Sequence, residues 1–391
     1  MLVDKTSCTG CSACFSVCPT GAIKMQQDEE GFFHPVINME RCISCGRCER
    51  ACPLINPVET SAVRDIYACY NIENPVRLES SSGGVFSILA EEVIRRGGRV
   101  FGASFEDSYH DLHHIGVDGM EKLSCLRGSK YVQSDLRSVF CEIQKYLRDK
   151  RYVLFVGTPC QVAGLRKVAV KNIEYLLTVE FVCHGVPSPA VWSSFLQEVT
   201  PNKVRIQNVK FRDKALGWKK YSMKIFFENE ETYVSNVEEN PYLQGFLSGL
   251  YMRPSCYQCP FRKKDRVADL MIGDCWGVEH LTEDQSFWTD QGVSLLSVQS
   301  AIGESFLQAV QSSLHREKIS YVNAVKYNRA IISDSYQHPH RSKFFQRFKQ
   351  GNLSTSRIIS EELDLSVRER IERRLWGVYE ALKNWCIRKN L

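Results

Sequence analysis

With 391 residues, 43% of them hydrophobic and 24% charged, the chain is long enough for two or three domains, each with its own core. Its formal charge of +5 is gathered at the C-terminus, where residues 341–391 carry a local +6 and leave −1 for everything before them, so a basic nucleic-acid-binding domain is not expected. No apolar run approaches the length of a membrane span, and Met1 to Lys5 lead straight into a cysteine motif, so a cytoplasmic, reducing setting is expected for the 17 cysteines.

Eight of those cysteines form two matching runs, Cys8-x-x-Cys11-x-x-Cys14-x-x-x-Cys18-Pro19 and Cys42-x-x-Cys45-x-x-Cys48-x-x-x-Cys52-Pro53. This is the bacterial two-cluster ferredoxin spacing, in which three closely spaced thiolates wrap one cube and the fourth completes its neighbour. The spacing therefore predicts one [4Fe–4S] cluster on Cys8, Cys11, Cys14 and Cys52, and a second on Cys42, Cys45, Cys48 and Cys18. Zinc knuckles or a disulfide framework are the other uses of such cysteines, and two complete runs with both prolines weigh against them. Residues 1–58 are thus read as a ferredoxin unit built on an internal repeat, followed by a linker from Pro57 to Arg64.

Downstream, Ser80-Ser81-Ser82-Gly83-Gly84 leads into a helix over Val85 to Arg96, with Val85, Leu89 and Val93 on one face and Gly97-Gly98 as its stop. His110, His113 and His114 lie in a polar stretch read as a surface loop. The apolar runs Tyr152 to Val156 and Leu176 to Val182, separated by a segment of helical length, predict a β–α–β unit with Cys160 and Cys183 at the strands' C-terminal ends. Residues 204–234 alternate like antiparallel strands, with a turn at Glu228-Asn229-Glu230. Cys256-x-x-Cys259 could join Cys160 and Cys183 around a third [4Fe–4S] cluster; alternatively, Cys160 and Cys183 are ordinary buried thiols and Cys256/Cys259 bind zinc or nothing. Cys69, Cys125, Cys141, Cys275 and Cys386 lack partner spacing. The chain closes on a basic amphipathic helix with a Ser366-x-x-Glu369 capping box and Ile371, Leu375, Val378, Leu382 and Cys386 on one face, suited to packing on its own protein or to docking on a partner or anionic membrane surface.

The segments Ser81 to Gly84, Leu126 to Ser134, Gly157 to Gln161, Cys183 to Pro187, Phe211 to Lys214, Arg253 to Cys259 and Gly273 to Gly277 resemble the beta subunits of coenzyme F(420)-reducing hydrogenase and formate dehydrogenase and related flavoproteins. The resemblance covers about residues 65–325, and the N-terminal ferredoxin fusion also occurs in that family. It implies an FAD-binding α/β domain with a cluster beside the flavin, held by Cys160, Cys183, Cys256 and Cys259. The residues assigned to the flavin are Ser81, Ser82, Gly83, Gly84, Gly128, Ser129, Lys130, Tyr131, Gln133, Gly157, Thr158 and Gln161. Small residues before a helix can offer N–H groups to a diphosphate, Lys130 could place a positive charge near the flavin's pyrimidine side, and Gly157-Thr158-Pro159 could set a tight turn against the rings. His184 is read either as a hydrogen-bond donor beside a cluster ligand or as a satisfied core residue.

The expected fold is α/β with α+β elements: a dicluster ferredoxin domain over 1–58, a flavin-binding α/β region in two parts over 65–150 and 151–340, and a basic helical tail over 341–391. The expected function is an iron–sulfur flavoenzyme passing electrons between its clusters and FAD, with a deazaflavin or another organic molecule as substrate. Its alternative is a non-catalytic relay subunit that hands electrons to a partner protein; a cluster-based sensor lacks an accompanying DNA-binding element. No G-x-G-x-x-G fingerprint supports a nicotinamide site.

Overall fold

The computed structural model describes residues 2–201, 204–366, 369, 371 and 374–376. In the N-terminal unit the two cysteine runs fold as copies of one another. Gly10 and Ser12 in the first, and Ser44 and Gly46 in the second, all take φ between 52° and 70°, which turns the backbone sharply between successive cysteines. A short helix ends each run, Ala13–Ser16 and Arg47–Arg50, and an antiparallel ribbon of β1 (Ile23–Gln27) and β2 (Phe33–Ile37) lies between them.

The strands that follow are β3 (Asp65–Asn71), β4 (Arg99–Phe105), β5 (Leu112–Val117), β6 (Val153–Gly157), β7 (Leu176–Phe181), β8 (Ile206–Asp213), β9 (Ser222–Phe227), β10 (Thr232–Asn236), β11 (Leu270–Asp274), β12 (Ser294–Val298) and β13 (Leu314–Lys318). Eight of them form one mixed sheet in the order β13-β3-β12-β11-β7-β6-β4-β5. Its centre, β11, β7, β6 and β4, is parallel, and the flanking pairs are antiparallel. The expected β–α–β unit is there: β6 pairs with β7 from Val153↔Leu176 to Gly157↔Glu180, with the helix Pro159–Val168 as crossover.

Strand alternation sorts the core onto two faces. Val100, Leu154 and Leu177 meet the helices Val85–Arg95 and Ala301–Ala309, while Phe101, Phe155 and Leu176 meet Val139–Arg148 and Pro159–Val168. Val85, Leu89 and Val93 are buried as their spacing predicted, and Gly97 ends that turn with φ 71°. The strands β8, β9 and β10 form a separate antiparallel meander, turned at Glu230, which takes φ 67°. This meander backs an aromatic core around Trp192, Phe211 and Tyr242.

Two chain ends meet in that core. Phe32, from the hairpin between β1 and β2, is fully buried there. The helices Arg341–Gln350 and Thr355–Leu363 insert Phe344, Phe345, Ile358 and Ile359 into it. The first half of the basic tail is therefore part of the body: Lys343, Lys349 and Arg357 sit on the outer side of helices whose inner side is apolar, while Arg341 is buried against the Met252 carbonyl and Glu30. The Ser366–Glu369 capping box forms, with Ser366 N donating to Glu369 Oε2 at 2.8 Å. Ile371 and Leu375 are exposed, and Val378, Leu382 and Cys386 lie outside the described residues. Among the described residues no helix is long and apolar enough to cross a membrane.

Candidate functional site

All sixteen described cysteines are free thiols, and twelve of them gather in three foursomes. In the first, burial and then the fields of Cys11, Cys8 and Cys52 push the Cys14 thiol far up, and Cys11 is pushed up to about 11, by burial and then by Cys8 and Cys52. In the second, Cys48 is raised by burial and then by Cys45, Cys42 and Cys18. Cys52 thus lies beside the first set and Cys18 beside the second. The third set joins residues up to 99 positions apart: Cys160 is raised by burial and by Cys259, Cys183 and Cys256, and Cys256 is pushed up to about 12 by burial, Cys183 and Cys259. Thiols packed this closely repel once they ionise; Arg253 and His34 offset part of that at Cys8, and Arg262 at Cys256 and Cys259, so each set suits a cationic occupant that offsets the rest. Among the described residues no three His, Cys, Asp or Glu side chains converge as a single metal ion needs.

The sets differ in exposure. Cys11, Cys14 and Cys52 are buried, whereas Cys45 is exposed and Cys18, Cys42 and Cys48 are half-buried. The first set also lies against the third. The helix Pro159–Val168 carries Cys160 in its first turn and Gly164 one turn later, and a Cβ on Gly164 would stand 3.1 Å from Cys11 Sγ. From the other side Arg253, fully buried and three residues before Cys256, donates through Nε to the Cys8 carbonyl at 2.7 Å.

A cavity of 460 Å³ opens at the C-terminal ends of the parallel strands, the edge at which such sheets collect ligands. Thr9 and Gly10 of the first cysteine loop line it on one side, Cys160 on another. Ser81, Ser82, Gly84, Gly128, Ser129, Lys130, Tyr131, Gln133, Thr158 and Gln161 also line it. Gly83 and Gly157 do not: Gly83 is pressed against the Cys69 carbonyl, 2.5 Å from where its Cβ would stand, and Gly157 against Gln161 and the Phe155 ring. Both are glycines because a wall passes behind them. Gly84, with φ 87°, precedes the helix Val85–Arg95, whose N-terminus has no side-chain cap, and Ser81 Oγ accepts from Ser129 N at 2.5 Å, tying the two loops together.

Several side chains do other work than their position suggested. Thr158 and Gln161 form a capping box, with Gln161 Oε1 accepting from Thr158 N at 2.9 Å. The Lys130 ammonium donates to the carbonyls of Leu126, Arg127 and Gly128 at 3.2, 3.0 and 3.3 Å, and burial lowers its pKa to about 8. It braces its own loop. His114, read as a loop residue, lies on β5, buried, stacked on Phe155 at 5.4 Å and hydrogen-bonded through Nε2 to the Val156 carbonyl at 3.1 Å. Burial holds its pKa down near 4, as it does for His184, so both rings are neutral at neutral pH. One wall went unassigned in sequence. Arg212 sits between the rings of Tyr221 and Trp276, its carbon 4.5 and 5.4 Å from their centroids, and is paired with Asp274. Trp218 stacks on Trp276 at 4.5 Å and donates to Asp274 Oδ1 at 2.9 Å.

Residues 7–54 match the family model described as a 4Fe-4S dicluster domain, and residues 150–321 match the model for the C terminus of the coenzyme F(420) hydrogenase/dehydrogenase beta subunit. Residues 150–321 thus carry the C-terminal domain of this beta-subunit family. The chain's N-terminal part is a dicluster iron–sulfur electron-transfer domain, 36% identical over 53 residues to an uncharacterized ferredoxin of Methanocaldococcus jannaschii, covering 68% of that protein and 14% of this chain. Across the family region it is similar to a component of the F(420)H(2) dehydrogenase of Methanosarcina mazei, 20% identical over 327 residues, or 80% of this chain and 85% of that one. A solved structure, a xenon derivative of the F(420)-reducing nickel–iron hydrogenase complex from Methanosarcina barkeri, aligns with a TM-score of 0.47 at 14% identity, covering 75% of this chain and 95% of the other.

Proposed function

We propose that the chain is an iron–sulfur flavoprotein that exchanges electrons between three [4Fe–4S] clusters and an FAD in the 460 Å³ cavity, where an organic substrate of the deazaflavin type, or another organic acceptor, meets the flavin. When bound, a flavin trades electron pairs with organic molecules and single electrons with iron–sulfur cubes. The observation that carries the reading is placement: Cys160 of one foursome and Thr9-Gly10 of another lie in the wall of the same cavity. The protein's own contributions follow from that wall. The uncapped N-terminus of Val85–Arg95 offers N–H groups to a diphosphate, and the Ser81–Ser129 clasp fixes the loop beside it. Cys160, Cys183, Cys256 and Cys259 would hold the third cluster, Cys8, Cys11, Cys14 and Cys52 the buried one, and Cys18, Cys42, Cys45 and Cys48 the exposed one. Neutral His114 and His184 keep the enclosed space free of added charge.

A second reading, an electron-relay member of a larger hydrogenase or dehydrogenase assembly, is favoured by the surroundings of the exposed foursome. Met39 and Ile43, 73% and 64% exposed, flank Cys42, and Val36 and Ile55 are exposed in the same unit, a pattern of apolar contact surface where single electrons would cross to another protein. Iron and flavin content of the anaerobically purified, reconstituted chain tests the first reading: about twelve irons and one FAD support it, and about eight irons without flavin overturn it. Turnover of an organic substrate by the isolated chain excludes the pure relay.

A further inference from the structure

The motif Phe211 to Lys214 has so far been left without a role, and its arginine has an unusual set of contacts. Arg212 is 8% exposed and lines the cavity. Its Nη1 is held by Asp274, which Trp218 fixes in turn, and its plane is fixed between Tyr221 and Trp276. Yet Nε and Nη2 are buried and meet no acceptor in good hydrogen-bond geometry, the Tyr131 hydroxyl being the polar neighbour of the guanidinium besides Asp274. These two nitrogens form one edge of the guanidinium, the edge that grips two oxygens of one anion at once. Leaving both donors empty in a buried site costs free energy that a ligand can recover. Among the other cations at this end, Lys214 donates to the carbonyls of Arg77, Ser82 and Gln291 at 2.9, 2.7 and 2.8 Å, Lys130 to three carbonyls of its own loop, and the half-buried Arg127 through Nε to Ser87 Oγ at 3.0 Å.

We propose that Arg212 is a pre-oriented anion receptor, whose Nε/Nη2 edge takes two oxygens of a phosphate or carboxylate bound in the cavity. This rests on the reading that the cavity holds FAD and its substrate, and the anion is either the FAD diphosphate or an acidic group of the substrate. The decisive comparison is wild type against Arg212→Lys, which keeps a charge for Asp274 and removes the two-pronged edge, each titrated with FAD, with riboflavin and with inorganic phosphate. If the diphosphate is the anion, FAD binding weakens roughly tenfold or more while riboflavin binding is unchanged. If the anion belongs to the substrate, FAD and riboflavin bind as before, and the perturbation of flavin absorbance by phosphate seen in wild type disappears. Equal behaviour of the two proteins in all three titrations overturns the proposal. Should the wild-type chain bind neither FAD nor riboflavin, the flavin reading falls, and calorimetric titration of phosphate into the flavin-free chains decides the receptor alone. If Arg212→Lys does not fold, the pair Arg212→Gln with Asp274→Asn removes both charges together and is titrated in the same way.

Discussion

Replacing Gly164 with alanine tests whether the helix Pro159–Val168 rests directly on the first cluster loop. A Cβ there would lie 3.1 Å from three Cys11 atoms, its Cβ, carbonyl oxygen and Sγ, against an ordinary carbon contact of about 3.5–4.0 Å. Relief needs a shift of a few tenths of an ångström, and neither side is free to give one. The helix is fastened at its start by the Thr158–Gln161 capping box, and Cys11 sits between Gly10 and Ser12, both in left-handed conformations. Overpacking of this kind costs about 1–3 kcal/mol, while glycine to alanine in a helix interior gains about 0.5–1 kcal/mol by itself. The net expectation is a loss of about 0–2.5 kcal/mol for alanine, and a larger one for valine, which adds two methyl groups. Urea unfolding of the anaerobic, iron-loaded protein measures it, with iron content followed in parallel. Valine should also shed iron from the first foursome. A Gly164→Ala protein that is more stable than wild type by the full helix-propensity gain, with its iron intact, would refute the contact.

Cys256→Ser should lower the iron content by about four per chain, one cube; unchanged iron would remove the third foursome from the cluster count. Arg266 and Glu180 form a buried ion pair at 3.0 Å, each side chain 2% exposed or less, so Arg266→Met should cost about 3–5 kcal/mol in chemical unfolding, and a loss under about 1 kcal/mol would show that the carboxyl is already neutral in the wild type. His114 has a folded pKa held near 4, below the ordinary value of 6.5. The unfolded chain therefore binds the extra proton between those values, and stability must fall as the pH drops from about 6.5 toward 4. Stability measured against pH should lose part of that slope in His114→Gln, and an unaltered acid limb would mean that the ring is not desolvated.

The chemistry of the N-terminal unit was legible because it is local: all eight cysteines and both prolines lie within 46 residues, and spacing alone assigns each thiol to its set. The β–α–β unit was legible for the same reason, as two apolar runs with a helix-length segment between them. What escaped reading depends on contacts across the chain. His114 lies among Asp, His and Gly in a stretch of loop-like composition, and only pairing of β5 with β4 buries it. Arg212 and Asp274 are 62 residues apart, and the motifs that contain them could be quoted but not joined. Lys130 was read as a charge beside a flavin; it lines the cavity, but sequence could not tell that three carbonyls already take up its protons. The helices Arg341–Gln350 and Thr355–Leu363 were masked by their basic outer faces, although Phe344-Phe345 and Ile358-Ile359 mark the inner ones.

The N-terminal unit is held to the rest of the chain at widely separated points. Phe32 is sunk in the aromatic core, Arg341 reaches Glu30 through Nη1 at 3.1 Å, and Arg253 and Gly164 close on the first cysteine loop. An electron carrier on a swinging arm works at a pace set by solvent friction, and thickening the medium slows it. A carrier bolted down in this way has no stroke to be slowed, so transfer between the buried foursome and the cavity should be indifferent to added glycerol, leaving the exposed foursome as the place where viscosity and ionic strength can set the rate.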